Sequence, residues 1–236
     1  MILLVSVNPV HAAETDSSGL SITYNNEEGN LSGSLRILVV LTILSLAPAI
    51  LIMVTSFTRI IIVLHFVRSA IGTQTAPPNQ VLIGLALFLT FFIMQPVITQ
   101  INENAIKPLD AGTITQEQAL EIGGEPLREF MFEQTQTKDL DLFIEISGDT
   151  YETYTEVPFS VLVPSFIISE LRTAFIIGFL IYIPFIIIDM VVASVLMSMG
   201  MMMLPPTTIS LPFKILLFIL ADGWNLVIGS LVKTFY

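Results

Sequence analysis

Long uncharged runs alternate with short polar segments along this chain. Residues 37–58 contain no charged side chain, and residues 81–98 form a second apolar run. The first run is 22 residues long, so as a helix it would measure about 33 Å and would cross a hydrocarbon core of about 30 Å. A polar, proline-containing stretch at residues 73–79 separates the two runs. The pattern therefore predicts a first helical hairpin over residues 35–98.

A second pair of apolar runs occupies residues 158–236. Its first arm extends to about Leu196, and its second arm runs from about Leu211 to Val232. The segment between the arms holds Gly200 and ends in Pro205-Pro206. Glycine and consecutive prolines are typical of turns. We therefore predict a second helical hairpin with a turn at residues 197–206.

The segment between the hairpins, residues 99–157, is polar and carries thirteen acidic and three basic side chains. Thr115 and Gln118 have the spacing of a capping box. Gly123-Gly124 predicts a break in the helix, and Pro126 suits the first turn of a new one. We expect a small helical domain, with a docking surface for a basic partner as the alternative to a structural role.

The N-terminal residues 1–13 resemble the end of a secretory signal peptide, since an apolar run precedes the small-residue sequence Val10-His11-Ala12. A positively charged start is missing from this run, so it is either a shortened signal peptide or an accidental likeness. Residues 14–34 are rich in Ser, Gly, Asn and Glu. This composition predicts a flexible exported tail.

Composition decides the broad class. The chain of 236 residues is 53% hydrophobic and only 12% charged, whereas soluble domains carry about 25% charged residues. A water-soluble enzyme of this size is therefore excluded. We predict an all-α integral membrane protein with two long helical hairpins that flank a small helical extracytoplasmic domain.

The net charge of −11 is distributed unevenly and predicts an orientation. Arg59 and Arg68 lie between the first two apolar runs, with no acidic residue nearby in the sequence. Basic loops tend to face the cytoplasm, so we expect a cytoplasmic basic turn here. The acidic segment 99–157 would then face the periplasm, in agreement with an exported N-terminus.

Several kinds of chemistry have no candidate residues. The chain has no cysteine, and its two histidines, His11 and His65, are far apart in the sequence. Thiolate metal sites, disulfides and histidine-based triads are therefore not expected. Glycine-rich nucleotide motifs are also missing. We expect no enzyme activity, catalytic residue, metal or cofactor and no nucleic-acid partner, so the energy for any transport would come from other proteins.

Four charged residues of the second hairpin are arranged symmetrically. Asp189 and Lys214 are equidistant from the midpoint of Met201 and Met202, and so are Glu170 and Lys233. Charges within apolar helices cost about 2.5–3.5 kcal/mol each on insertion scales. We therefore predict that the hairpin folds with Asp189 paired to Lys214 and Glu170 paired to Lys233.

Two further charges of this hairpin, Arg172 and Asp222, have no mirror partner of opposite sign. The six charges could fasten the helices together, or they could contact neighbouring subunits during assembly. A third possibility is conduction of protons or cations through Asp189 and Asp222.

The turn of the second hairpin holds half of the ten methionines of the chain, namely Met197, Met199, Met201, Met202 and Met203. Methionine side chains are unbranched, polarisable and able to fill irregular gaps. Several copies converging on an axis would form a soft plug that closes when empty. Metal binding by thioethers and ordinary packing inside a membrane are the alternatives.

Three long stretches are similar to a known family. They are TSFTRIIIVLHFVRSAIGTQTAPPNQVLIGLALFLTFFIMQPV, SFIISELRTAFIIGFLIYIPFIIIDMVVASV and SVLMSMGMMMLPPTTISLPFKILLFILADGWNL. They resemble the FliP family of flagellar type III export gate proteins. The resemblance covers roughly residues 37–110 and 157–236, and these runs are highly specific. The exported N-terminus and the LPPTTISLPFK sequence favour the flagellar branch over the related virulence injectisome proteins.

The resemblance implies a channel core at the flagellar basal body in the bacterial inner membrane. Several copies of the chain, pentamer-like in number, would assemble with FliQ, FliR and other export gate proteins, and unfolded flagellar proteins would pass through. It also implies that Met201, Met202 and Met203 act as a gasket, and that the hairpins assemble largely above the plane of the membrane. An ion channel or transporter, an injectisome subunit and a passive membrane scaffold are the alternatives.

Overall fold

The computed structural model describes residues 31–151, 156–201 and 203–236. The predicted signal peptide, most of the predicted tail and Met202 lie outside the described residues. Two compact units make up the chain, Met1–Ile43 and Leu44–Tyr236. Of the first unit, the structure describes only the beginning of helix α1, which starts at Leu31 within the segment predicted as a tail.

Every regular element within the described residues is helical. In chain order these are α1 (Leu31–Met53), α2 (Phe57–Ile71), α3 (Asn79–Ile101), a π-helical turn (Asn102–Ile106), α4 (Lys107–Asp110), α5 (Gln116–Gln134), α6 (Thr137–Ser147), α7 (Phe159–Ser198), α8 (Pro206–Leu220), α9 (Gly223–Val232) and a 3-10 turn (Lys233–Phe235).

The first apolar run is divided between two helices instead of forming one. Helix α1 ends at Met53, and α2 begins at Phe57. In the break, the Thr55 hydroxyl donates to the Ile52 carbonyl at 3.4 Å and accepts from the Phe57 amide at 3.5 Å. Threonine side chains that bond to nearby backbone in this way compete with continuous helix formation.

The predicted basic turn is wrong, because Arg59 and Arg68 both lie within helix α2. The chain reverses later, after Gly72, whose φ of 88° ends α2 in the left-handed conformation that glycine adopts readily. Because uncharged residues lie on both sides of Arg59, the sequence alone did not show that the break between the two helices comes before this residue. The cytoplasmic orientation of this end of the hairpin stays a prediction.

Helix α5 confirms one prediction about the acidic segment and corrects two. The capping box is present, since the Thr115 hydroxyl accepts from the Gln118 amide and the Gln118 side chain accepts from the Thr115 amide. The predicted break at Gly123-Gly124 and the predicted helix start at Pro126 are wrong, because α5 runs through both. A Cβ atom on Gly123 would lie 3.4 Å from the Cβ atom of Ala105. Gly123 therefore lies inside the continuous helix α5, at ordinary contact distance from the π-helical turn.

Within the part of the chain that the structure describes, two helices are each long and apolar enough to cross a membrane. One is the continuous stretch Asn79–Asp110, which passes through Pro96 and continues beyond residue 98, where the second apolar run ends. The other is α7 with 40 residues, which is about 60 Å long and thus about twice the thickness of a hydrocarbon core. The prediction of an all-α membrane protein is confirmed.

The second arm of the second hairpin is bent instead of straight. Helices α8 and α9 meet at an angle of 63°. Asp222 stands at the bend with a φ of 49°, which is uncommon for a residue other than glycine. A Cβ atom on the next residue, Gly223, would lie 2.4 Å from the ring of Phe218, so only glycine fits there without a shift of that ring. Because of this bend, charged residues at equal distances from the turn of the hairpin do not all face each other.

The core forms where α2 lies against α7. One face of α2 is fully buried, with apolar side chains at the three- and four-residue spacing expected for a helix, at Ile60, Val63, Leu64 and Val67. Further along the contact, Gly178 of α7 faces Phe66. A Cβ atom on Gly178 would lie 2.4 Å from the Phe66 ring, so the absence of a side chain sets the separation of the two helices.

Gly178→Ala should therefore destabilise the chain by about 1–3 kcal/mol, because the added methyl group overpacks the contact with Phe66. Thermal unfolding of the detergent-solubilised chain, followed by circular dichroism, measures this as a lower Tm. Gly84→Ala is the matched control, since Gly84 also lies within a helix and has no heavy atom near its Cβ position. An equal loss in both variants would contradict the steric explanation.

Candidate functional site

The Met-rich turn connects α7 to α8, and backbone hydrogen bonds hold its first residues. The amide of Gly200 donates to the Met197 carbonyl, and the amide of Met201 donates to the Leu196 carbonyl, each at 3.0 Å. Gly200 has a φ of 74°. These two bonds with a left-handed glycine form a Schellman motif, which ends helix α7. The sequence-predicted turn is therefore held by backbone hydrogen bonds.

The methionine side chains of this turn point outward. Met203 is 98% exposed and Met199 is 66% exposed, and Met197 and Met201 are exposed as well. Ordinary packing within the chain does not account for these four side chains, since they cover little of it. The structure therefore presents a group of flexible apolar side chains to whatever surrounds the tip of the hairpin.

Three ion pairs connect α7 to other helices. They join Glu170 to Arg59 of α2, Arg172 to Asp139 of α6, and Asp189 to Lys214 of α8. Each charged side chain of α7 thus has a partner of opposite sign within the same chain. The pairs at Glu170 and Arg172 attach the first half of α7 to α2 and to the acidic domain, and the pair at Asp189 attaches the second half to α8.

The pair formed by Arg59 and Glu170 is buried, and it is the centre of a network. The guanidinium donates to both oxygens of the Glu170 carboxylate, with an Nε to Oε2 distance of 2.9 Å. It also donates at 3.0 Å to the side-chain oxygen of Gln134 in α5, and at 3.1 Å to both oxygens of Thr234. The ring of Phe235 lies 4.0 Å from the guanidinium carbon. All five N–H groups of the arginine therefore have acceptors.

The predicted partner of Glu170 is wrong, because its carboxylate binds Arg59 while Lys233 is exposed. The mirror arrangement assumed two straight arms. It holds for Asp189 and Lys214, which lie on the turn side of the α8–α9 bend. Beyond the bend, the second arm leaves the line of α7, so counting residues no longer identifies partners.

Asp189 and Lys214 form the ion pair that the sequence predicts. The Lys214 ammonium donates to Oδ2 of Asp189 at 2.5 Å, and the Ser210 hydroxyl donates to Oδ1 at the same distance. Both oxygens of the carboxylate thus have a donor. Asp222 instead accepts a hydrogen bond from the Asn225 side chain at 3.0 Å.

The third pair attaches the acidic domain to α7. Arg172 donates to Oδ1 of Asp139 at 2.5 Å, and the Ser169 hydroxyl donates to Oδ2 at 2.8 Å. Burial pushes the pKa of Asp139 upward, but the hydrogen bonds from Arg172 and Ser169 and the positive charges of Arg172 and Lys138 outweigh it, so the pKa lies below its ordinary value. Asp139 therefore stays ionised as part of this contact.

Sequence reasoning missed Asp139, Gln134 and Thr234 as partners. Asp139 lies 33 residues from Arg172, and Gln134 lies 75 residues from Arg59. No helical or hairpin spacing relates positions that far apart across a domain boundary. The usable signal was a general one, since Arg59 sits among apolar residues and a buried arginine requires an acidic partner.

Comparison with known proteins identifies the family of this chain. The FliP family model matches residues 40–231. The chain belongs to the FliP family. Flagellar biosynthetic protein FliP of Bacillus subtilis (strain 168) is 55% identical over 217 residues, which cover 92% of this chain and 98% of that protein. The namesake from Pectobacterium carotovorum is 56% identical over 204 residues, covering 86% and 79%.

A third relative, flagellar biosynthetic protein FliP of Aquifex aeolicus, is 52% identical over 211 residues and covers 88% of both chains. The matched FliP region contains the Met-rich turn and the three ion pairs of α7. It also contains the whole acidic segment, of which the resemblance noted from the sequence had left out residues 111–156. The acidic domain is therefore part of the FliP family fold.

Glu170→Gln should destabilise this FliP-family chain by about 3–5 kcal/mol, because it leaves the buried Arg59 charge without a counter-ion. Chemical unfolding of the detergent-solubilised chain measures the loss. Adding Arg59→Met to this variant should recover part of it. Glu125→Gln is the control, since Glu125 pairs with Arg128 at 3.6 Å and is mostly exposed, so it should cost less than about 1 kcal/mol. Similar losses for Glu170→Gln and Glu125→Gln would contradict the central role of the buried pair.

Proposed function

We propose that this chain is a core channel subunit of the flagellar type III protein export gate. Several copies would form the pore together with FliQ and FliR, and unfolded flagellar proteins would be secreted through it. The family membership and the names of the relatives support a role in flagellar biosynthesis. The role is structural and non-enzymatic, and other export gate proteins would supply the energy.

The observation that carries the proposal is the exposed Met-rich turn. Its backbone is held by the Schellman bonds at Gly200, while Met199 and Met203 extend away from the chain. Exposed apolar side chains are costly in water, so they call for a partner outside this chain. Copies of the same turn from neighbouring subunits supply one. Their thioethers would fill the axis of the pore and seal it as a gasket, including Met202, which lies outside the described residues.

The outer face of α7 supports assembly in the same way. Phe175, Phe179 and Met190 are exposed along it, while the charges at Glu170, Arg172 and Asp189 are paired within the chain. A face that is apolar and electrically neutral suits contact with neighbouring subunits as well as lipid. The charge pairs would then serve assembly by fixing the shape of each subunit, instead of bridging between subunits.

We place the assembled protein in the bacterial inner membrane at the flagellar basal body, with the acidic domain in the periplasm. The positive charges of α2 and the acidity of residues 99–157 support this orientation. The related injectisome role is the runner-up within the same class. The flagellar names of the similar proteins favour the flagellar role.

Ion conduction through Asp189 and Asp222 is the competing function. The pairing of Asp189 with Lys214 and Ser210 argues against it, because a carboxylate with both oxygens occupied is a poor relay. Asp222 lies at the bend between α8 and α9 and is exposed. Asp222 therefore serves to form the break between α8 and α9.

Replacing Met201, Met202 and Met203 with alanine should raise ion leakage through the assembled complex several-fold, because shorter side chains leave the axis open. Conductance of the complex in planar bilayers measures the leak. Met53→Ala is the control, since Met53 is an exposed methionine at the end of α1, away from the turn. Unchanged leakage in the triple variant would refute the gasket, and leakage abolished by Asp189→Asn would favour the conduction path.

Single cysteines can test the orientation, because the chain has none of its own. Leu120→Cys, on the acidic domain, should react with a membrane-impermeant maleimide from the periplasmic side, since Leu120 is 79% exposed. Gln74→Cys, in the turn between α2 and α3, should react only after the cytoplasmic side is opened. The reverse labelling pattern would invert the proposed topology.

A further inference from the structure

A polar cavity of about 740 Å³ lies beside the Asp189–Lys214 pair. Its walls come from the end of α2, the turn after it, the middle of α7 and the first turns of α8. The lining includes His65, Arg68, Thr207 and Thr208 in addition to the ion pair. Neither the channel role nor the gasket uses this cavity.

Arg68 enters the cavity with its charge uncompensated. Its guanidinium donates to the side-chain oxygen of Asn79 at 2.6 Å, to the Pro77 carbonyl at 3.3 Å and to Nδ1 of His65 at 2.9 Å. All three acceptors are neutral groups. Among the residues that the structure describes, no carboxylate lies within ion-pair distance of Arg68. The side chain is thus held in place while Nε and one N–H of Nη2 stay available.

His65 adds a second donor. Burial lowers the pKa of His65 below its ordinary value, and the nearby Arg68 charge lowers it further, so the imidazole is neutral. Since its Nδ1 accepts a hydrogen bond from Arg68, the proton of the neutral ring lies on Nε2. The ring therefore offers an N–H group and holds Arg68 in one orientation.

The charged groups that line the cavity leave a net positive charge. Asp189 and Lys214 neutralise each other, His65 is neutral, and Arg68 contributes one positive charge. Gly72 brings the α2–α3 turn against α8, since a Cβ atom there would lie 3.9 Å from Nζ of Lys214. The cavity is thus a preorganised, donor-rich site that favours an anion with several acceptor oxygens.

We propose that this cavity binds the phosphate of an anionic phospholipid headgroup. Guanidinium groups bind phosphate oxygens with matched geometry, and basic pockets between membrane helices are known sites for anionic headgroups. The cavity volume of about 740 Å³ is many times the volume of about 30 Å³ that one water occupies. It is therefore larger than a single phosphate ion needs, and the glycerol part of a headgroup fits as well. Two of the walls belong to α7 and α8, and these helices expose apolar side chains at Phe179 and Ile219, along which acyl chains can lie.

Native mass spectrometry of the full chain in detergent tests this site. Titration with phosphatidylglycerol should give a saturable one-lipid adduct, and titration with phosphatidylcholine should bind it more weakly because its headgroup has no net charge. Arg68→Gln should raise the apparent Kd for phosphatidylglycerol about tenfold, the loss of one charge-assisted contact. Lys107→Gln is the control, since Lys107 is an exposed lysine at the far end of the α3–α4 stretch, and it should change the Kd less than about twofold.

Equal binding by the parent chain and Arg68→Gln would overturn the proposal, and so would equal losses in Arg68→Gln and Lys107→Gln. Displacement of the lipid by millimolar inorganic phosphate would assign the site to the free ion and overturn the lipid assignment. If Arg68→Gln does not fold, the double variant Thr207→Val/Thr208→Val decides, because it removes two hydroxyls from the rim and keeps every ion pair. Unchanged lipid affinity in that variant would also count against the site.

In the assembled complex, an acidic side chain of a neighbouring subunit could fill the cavity instead. Mass spectrometry of the complex co-expressed with its partners distinguishes the two occupants. Retention of phosphatidylglycerol, and its loss on Arg68→Gln, would support the lipid. A complex that carries no lipid, although the isolated chain binds it, would overturn the proposal.

Discussion

Burying an ionised guanidinium is costly unless its charge and its N–H groups are all satisfied. Arg59 of α2 meets this condition by drawing on three other parts of the chain, namely α5, α7 and the turn that holds Thr234 and Phe235. Each of these must arrive in register for the network to close. The interaction therefore specifies how the hairpins and the acidic domain fit together, beyond any stability that it contributes.

The charges of α7 are also satisfied within the chain. A helix of 40 residues with three charged positions is poorly suited to lipid or to an apolar interface if those charges face outward. Pairing them with Arg59, Asp139 and Lys214 leaves an outer face that is apolar and neutral. Internal pairing thus leaves a surface that would suit the proposed assembly, because the charges of α7 are already neutralised within the chain.

Local spacing rules predicted what lies close to the turn of the second hairpin. Asp189 and Lys214 were found from symmetry alone, because both lie on the turn side of the bend at Asp222. Glu170 was assigned to Lys233 by the same rule and meets Arg59 instead, since the conformation of Asp222 and the fit of Gly223 against Phe218 redirect the chain. The glycines of α5 show a similar limit. Gly123 was interpreted as a helix breaker, whereas it lies inside a continuous helix that packs against the π-helical turn, and local sequence alone does not distinguish the two situations.

The Schellman motif at Gly200 has a consequence for how fast a seal made by this turn would respond. Its hydrogen bonds hold the backbone at the start of the turn, while the exposed methionines are free to change rotamer. Rotamer changes of exposed side chains take picoseconds to nanoseconds, whereas rearranging a loop takes nanoseconds to microseconds. The methionine side chains would therefore move when a polypeptide passes, while the hydrogen-bonded backbone at Gly200 would keep its conformation. A seal of this kind would open and close again without any refolding of the backbone.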